Sequence, residues 1–321
     1  MTLYGKEEPI DPVEAARILF NKGIARYNKG NYTDALKSFT NAVSVDQSDA
    51  KAYLWRARAR IKLGDYETAL CDLKKAGSLD PECTAVYCCM GDIFIEKEHY
   101  QDAVKFYTQA VEKDKNYIEA LMGRGIAYKE TENFANAVSD FRTVIRLDPE
   151  NSLAYYLMGL CMYIEGNLDE AVSGLTCSLE IEPENAEALV TRALAYEERG
   201  ELDLSLEDNT AAIFIDPDFE EAYLSRARVY LLLSDLENAL RDFNTLVLLT
   251  PENPEVYNEI GTIFLRLGRV GEAIKAFSDA IEADPAYSRA YNNRGLAYRE
   301  AGFNVEALED FNTYCRLIGE K

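Results

Sequence analysis

Small residues recur along this chain at one fixed interval. Gly23, Ala57, Gly91, Gly125, Gly159, Ala193, Ala227, Gly261 and Gly295 follow each other every 34 residues. Twelve residues after each come Ala35, Ala69, Ala103, Ala137, Ala171, Ser205, Ala239, Ala273 and Ala307. Pro81, Pro149, Pro183, Pro217, Pro251 and Pro285 close six of the resulting units. A period of this length limits the fold more than any composition does. Each unit is one supersecondary element that cannot bury its apolar face alone, so the copies must stack. Nine units run without an insertion over 16–49, 50–83, 84–117, 118–151, 152–185, 186–219, 220–253, 254–287 and 288–321. Residues 1–15 form an extension into the first helix, where Asp11-Pro12 supplies an N-cap and a first-turn proline. A length of 321 residues taken alone suggests about two domains. A repeat array grows in one dimension and escapes that expectation.

Each unit reads as two helices, which makes the chain all-α. In the fourth unit they run near Ile118 to Glu130 and near Ala135 to Leu147, and Asp148-Pro149 then stops the second. The small residues at unit positions 8 and 20 let two antiparallel helices approach closely. Aromatic side chains at positions 4, 11 and 24, such as Tyr223, Tyr230 and Phe243, fill the space around that contact.

In the eighth unit the pattern reads Tyr257, Ile260-Gly261, Phe264, Gly268, Ala273, Phe277, Ala280 and Pro285. With nine such units in register, the chain resembles the tetratricopeptide-repeat (TPR) family over 16–321. The resemblance implies a right-handed superhelical α-solenoid of antiparallel helix pairs. It also implies a concave groove lined by the first helices, which in this family usually holds a peptide or a partner helix. Chaperone-binding members clamp a terminal carboxylate with a set of lysine, asparagine and arginine. Asn258 and Asn293 match isolated elements of that set and no window carries all of it, so such a clamp is not expected. Three departures stand out. Ser205 and Asn209 replace alanine and an aromatic in the sixth unit, predicting a loosely packed second helix. Val144, Leu246 and Tyr314 replace the common alanine at position 27. The ninth unit has no solvating helix after it, which leaves Phe311, Tyr314, Leu317 and Ile318 as a possible edge for homo-oligomers.

Position 7 is arginine in five units, at Arg56, Arg124, Arg192, Arg226 and Arg294. Position 23 is aspartate in the same five, at Asp72, Asp140, Asp208, Asp242 and Asp310. Covariation between two positions implies contact. The expectation is a bidentate Arg–Asp bridge between the helices of each hairpin, which removes these arginines as ligands for a partner.

Positions 2, 5, 9, 12 and 13 of the first helices share a stripe distinct from the packing stripe. In the middle units that stripe is apolar. It carries Met122, Ile126, Leu153, Tyr156, Leu160, Tyr163, Ile164, Val190, Leu194, Leu224 and Leu231. A large apolar patch of this kind marks an interaction surface. The competing reading is that some of these side chains only seal the seam between units. Glu119, Glu130, Glu187, Glu197, Glu198 and Glu221 edge the patch, while bases such as Arg58, Lys62 and Arg289 sit toward its ends. The expected partner is a protein or peptide with an apolar stripe and basic flanks.

Composition narrows the alternatives. A net charge of -22 repels phosphates, so no nucleic-acid partner is expected. No apolar run approaches the roughly 18 residues of a membrane span, so no membrane insertion is expected. The N-terminus carries early acid and no apolar stretch, unlike a secretory signal. Seven cysteines without a disulfide framework point to a reducing, cytoplasmic location. His99 with Cys83, Cys88 and Cys89 lacks the spacing of a zinc site. The vicinal Cys88-Cys89 pair leaves a redox role open. No phosphate loop or hydrolase motif occurs. The expectation is a non-enzymatic scaffold without a cofactor, or alternatively a self-assembling structural solenoid.

Overall fold

Asp11 starts the first helix by accepting a hydrogen bond from the Val13 amide, with Pro12 already holding the φ a helix needs. From there the structure, a computed structural model, describes residues 11–319. The first ten residues of the 1–15 extension lie outside that range, as do Glu320 and Lys321. Among the described residues there are eighteen helices and no strand. They are α1 Pro12–Tyr27, α2 Tyr32–Val45, α3 Ala50–Lys62, α4 Tyr66–Leu79, α5 Thr84–Glu96, α6 Tyr100–Lys113, α7 Ile118–Glu130, α8 Phe134–Leu147 and α9 Ser152–Ile164. The series continues with α10 Leu168–Ile181, α11 Ala186–Arg199, α12 Leu202–Ile215, α13 Glu220–Leu232, α14 Leu236–Leu249, α15 Pro254–Arg266, α16 Val270–Ala283, α17 Ser288–Glu300 and α18 Asn304–Gly319. None of them is long and apolar enough to cross a membrane.

Two kinds of turn keep the register. Within a hairpin the chain reverses through one left-handed residue, such as Gly268 at φ +73°. In three hairpins Glu98, Glu132 and Ser234 take that conformation instead, at φ 57–59°. Between hairpins an aspartate folds back on the backbone two residues ahead. Asp114 accepts from the Asn116 amide at 2.9 Å and Asp284 from the Ala286 amide at 2.8 Å.

The chain divides into two compact units, residues 1–161 and 162–321, with the boundary inside α9. In the first unit α1 to α8 pack each against the next. In the second the same holds from α10 to α18. In five hairpins the core is a ring laid over a glycine. A Cβ added to Gly91 would sit 2.7 Å from the Tyr107 ring, and one added to Gly125 would sit 2.6 Å from Phe141. The position-8 glycine therefore clears room for the position-24 ring, which is 2% exposed at Tyr107 and 0% at Phe141. Alanine at position 8 faces a smaller side chain in the second and sixth hairpins, Leu73 and Asn209. Ala227 keeps Phe243, and nothing in the structure explains that pair.

The expected bridges form in all five hairpins. Arg124 Nε and Nη2 donate to the two carboxylate oxygens of Asp140, each at 2.8 Å. Arg192 holds Asp208 at 2.7 and 2.8 Å, and Arg226 holds Asp242 at 2.8 and 2.7 Å. Arg56–Asp72 and Arg294–Asp310 repeat the geometry. Sequence reasoning missed a second role. In four cases the remaining guanidinium nitrogen reaches back to a hydroxyl of the preceding hairpin. Arg192 reaches Thr176 at 3.0 Å, Arg226 reaches Thr210 at 3.1 Å, and Arg294 reaches Ser278 at 2.9 Å. Arg124 reaches Thr108 at 3.4 Å. One side chain thus ties both the hairpin and the seam.

The α12 helix is regular despite its polar substitutions. Asn209 is fully buried, and its Nδ2 donates to Ser225 Oγ at 2.9 Å and to the Ser205 carbonyl at 3.0 Å. Hydrogen bonds replace the missing ring, although Asn209 Oδ1 has no partner.

Removing one member of a buried pair strands the other charge. Arg124→Ala is expected to cost about 3–5 kcal/mol in denaturant unfolding of the whole chain. Arg124→Ile with Asp140→Ala copies the Ile260 and Ala276 pair of the eighth hairpin and should recover most of that loss. An unchanged transition in the single variant would show that the bridge is not structural.

Candidate functional site

The first-helix stripe lines a cleft in each unit. In the first unit a cleft of about 510 Å³ takes its walls from α3 and α5, with Tyr27, Tyr107, Tyr117 and Glu119 around them. Arg58 lies on the Trp55 ring, 4.9 Å from its centroid. Asp92 accepts from the Tyr107 hydroxyl at 2.7 Å, and burial holds its carboxyl above the usual range. The cleft combines an aromatic wall with charges of both signs. Of this set, Arg58, Lys62 and Glu119 were legible in sequence as the rim of a stripe. Trp55 stands at position 6 and Tyr107 in a second helix, outside the stripe, so periodicity alone did not select them.

In the second unit a cleft of about 380 Å³ lies along α13 and α15. Leu224 and Leu231 line it together with Leu246 and Val256, and Glu220, Glu221, Glu255 and Glu259 stand around them. Both leucines belong to the expected apolar stripe.

The other expected residues divide by unit and by burial. In the first unit Leu153 is 49% exposed, while Ile126, Tyr156 and Leu160 are half-buried. Met122 packs on the cluster of Leu121, Val144 and Ala154, which makes it partly a seam residue. In the second unit Ile164 and Leu224 are 51% and 43% exposed, and Leu194 is half-buried. Tyr163 donates to Glu198 at 3.0 Å, and burial with that bond pushes its hydroxyl up to about 12. Val190 is only 5% exposed. It seals the packing and offers no surface. Leu231 also packs on its hairpin core, with one side left to the cleft.

The cysteine pair is inward. Cys88 and Cys89 are 6% and 4% exposed, and burial raises both thiols above their ordinary range. Little thiolate forms at neutral pH in such a setting, which disfavours nucleophilic or redox chemistry. His99 stands just ahead of α6 with its ring stacked on Phe94. Among the described residues no group of three or more His, Cys, Asp or Glu is placed to hold a metal.

Comparison with known proteins follows the helix pairs. Profiles described as tetratricopeptide repeat match residues 20–77, 122–175, 224–288 and 258–319, and a second such profile matches 84–117. Among solved structures the chain is similar to YrrB, described as a TPR protein with an unusual peptide-binding site. The two share 26% identity at a TM-score of 0.53, over 59% of this chain and 97% of that one. It is also similar to PilF of Pseudomonas aeruginosa, at 19% identity and a TM-score of 0.61, over 68% of this chain and 99% of that one. A tetratricopeptide-repeat protein of Parabacteroides merdae matches at 20% identity and a TM-score of 0.50, over 88% of this chain and 99% of that one. Comparison with curated proteins finds no sequence match. The matched profiles span well over half of the sequence, in the same register as the paired helices, and the chain belongs to the tetratricopeptide-repeat family.

Proposed function

We propose that this protein is a non-enzymatic adaptor that holds a peptide or an amphipathic helix on the first-helix faces of its nine repeats. The observation carrying this reading is the cleft along α13 and α15, where Leu224 and Leu231 come together with other apolar side chains inside a ring of carboxylates. Exposed leucines and isoleucines at stripe positions, Leu153 and Ile164 among them, extend the apolar character. The Arg–Asp bridges support the reading by subtraction. They occupy the guanidiniums that would otherwise attract acidic partners, and leave a surface suited to apolar segments with basic flanks. Peptide binding by YrrB, a relative by fold and by a quarter of its sequence, agrees with it. The adjacent Cys88 and Cys89 remain buried thiols, which fits a reducing, cytoplasmic setting.

A second reading is self-association through α18, where Val305, Leu308 and Ile318 are 69%, 61% and 48% exposed. Light scattering over a range of concentrations separates the two. A mass that rises with concentration, and falls back in Ile318→Glu, supports assembly.

The groove is tested with Leu153→Glu and Leu224→Glu, chosen because both side chains already meet solvent and tolerate a charge. Capture from cell extract with each variant and the wild type is the measurement. The expected result is loss of a defined set of bound proteins with an unchanged melting temperature. An identical set in all three samples would argue against the groove.

A further inference from the structure

The first helices of neighbouring repeats approach closely at α11 with α13 and at α15 with α17, but not at α13 with α15. Two side chains account for the gap. At the seam of α12 with α13, positions 27 and 3 are Ala212 and Ala222. At the seam of α16 with α17 they are Ala280 and Ala290, and all four are fully or almost fully buried. At the seam of α14 with α15 the same positions hold Leu246 and Val256, 3% and 4% exposed. Close-packed interiors have no slack for the added methyl groups, so α15 stands off from α13. The space that opens is the cleft of about 380 Å³, and Leu246 and Val256 remain at its base.

Its rim is negative. Glu220, Glu221, Glu255 and Glu259 form no ion pair or side-chain hydrogen bond among the described residues. Two arginines also line the cleft. Arg228 donates to Glu197 Oε1 at 3.1 Å, and Arg289 lies beside the Tyr287 hydroxyl. Glu197 has a second carboxylate oxygen that is buried without a partner, so one acceptor beside Arg228 is left unsatisfied.

We propose that this widened seam is a subsite for one lysine or arginine side chain of the bound segment. The aliphatic stem lies on Leu224, Leu231 and Val256, and the cationic head reaches Glu221 and Glu255. Long cations commonly bury their stem on apolar surface while the head stays among polar groups. A carboxylate rim over an apolar base matches both halves of such a side chain, and like-charge repulsion excludes an acidic residue at that place. The proposal rests on the groove reading and adds what one position of the partner must be.

The test uses the full chain with labelled leucine and valine methyl groups and a defined probe, N-acetyl-leucyl-arginine amide. Saturable NMR shifts are expected at Leu224, Leu231, Leu246 and Val256. The citrulline counterpart, equal in shape and neutral, and the glutamate counterpart should leave those methyls in place. Glu221→Gln with Glu255→Gln should weaken the arginine probe about tenfold, since bonds to charged groups are the stronger ones. Both positions are exposed, so the variant is expected to melt as the wild type does. Equal shifts from the arginine and citrulline probes, or no movement of these four methyls, would overturn the proposal. That outcome would leave the groove reading to its own test, because the probe binds independently of any captured protein.

Discussion

A flat ring sits most closely on a helix where the helix has no Cβ in the way. Phe39, Tyr107, Phe141, Phe277 and Phe311 each face such a place, at Gly23, Gly91, Gly125, Gly261 and Gly295. This contact sets how near the two helices of a hairpin come. In the fourth and ninth hairpins the bridge between arginine at position 7 and aspartate at position 23 forms beside that contact, while in the second, sixth and seventh it forms with alanine at position 8. From the bridge, the guanidinium extends to a hydroxyl on the previous hairpin and fixes the seam. The bridge thus carries the fit between two helices outward into the spacing of neighbouring repeats. Burying an Arg–Asp pair gains little stability over an apolar pair. Its value lies in geometry, because a planar fork accepts only one orientation of the two helices. Where it is lacking, other contacts join the helices: Ile260 and Ala276 pack in one buried cluster in the eighth hairpin, and Tyr107 donates to Asp92 across the third.

The same regularity makes exceptions informative. Asn209 stands where a ring belongs, and Ser205 and Ser225 surround it so that its amide is bonded. Leu246 and Val256 stand where alanines belong, and both are buried in the seam. The excess appears as separation between α13 and α15, which turns a packing departure into an accessible cleft. Function in a repeat array comes from such departures, since a perfectly uniform stack presents the same surface at every step.

Much of this was legible without coordinates. The period, the helix pairs, the turn positions and the pairing of arginine with aspartate follow from residue spacing, because local propensity and periodic burial act over short distances. The candidate site was legible only in outline. Helical periodicity selects a stripe, but it cannot say whether a stripe residue seals a seam or meets solvent. Leu153 and Val190 look alike in sequence, yet one is half exposed and the other is 5% exposed. The difference depends on how far each neighbouring helix stands away.

Sequence by itself therefore determined the repeat, its two helices and the internal bridges, all of which depend on residues a fixed number of positions apart. Tertiary structure decided which seams close and which open. That outcome depends on the summed volume of side chains from successive hairpins, such as Leu246 with Val256, and volume becomes a constraint only when the surfaces meet.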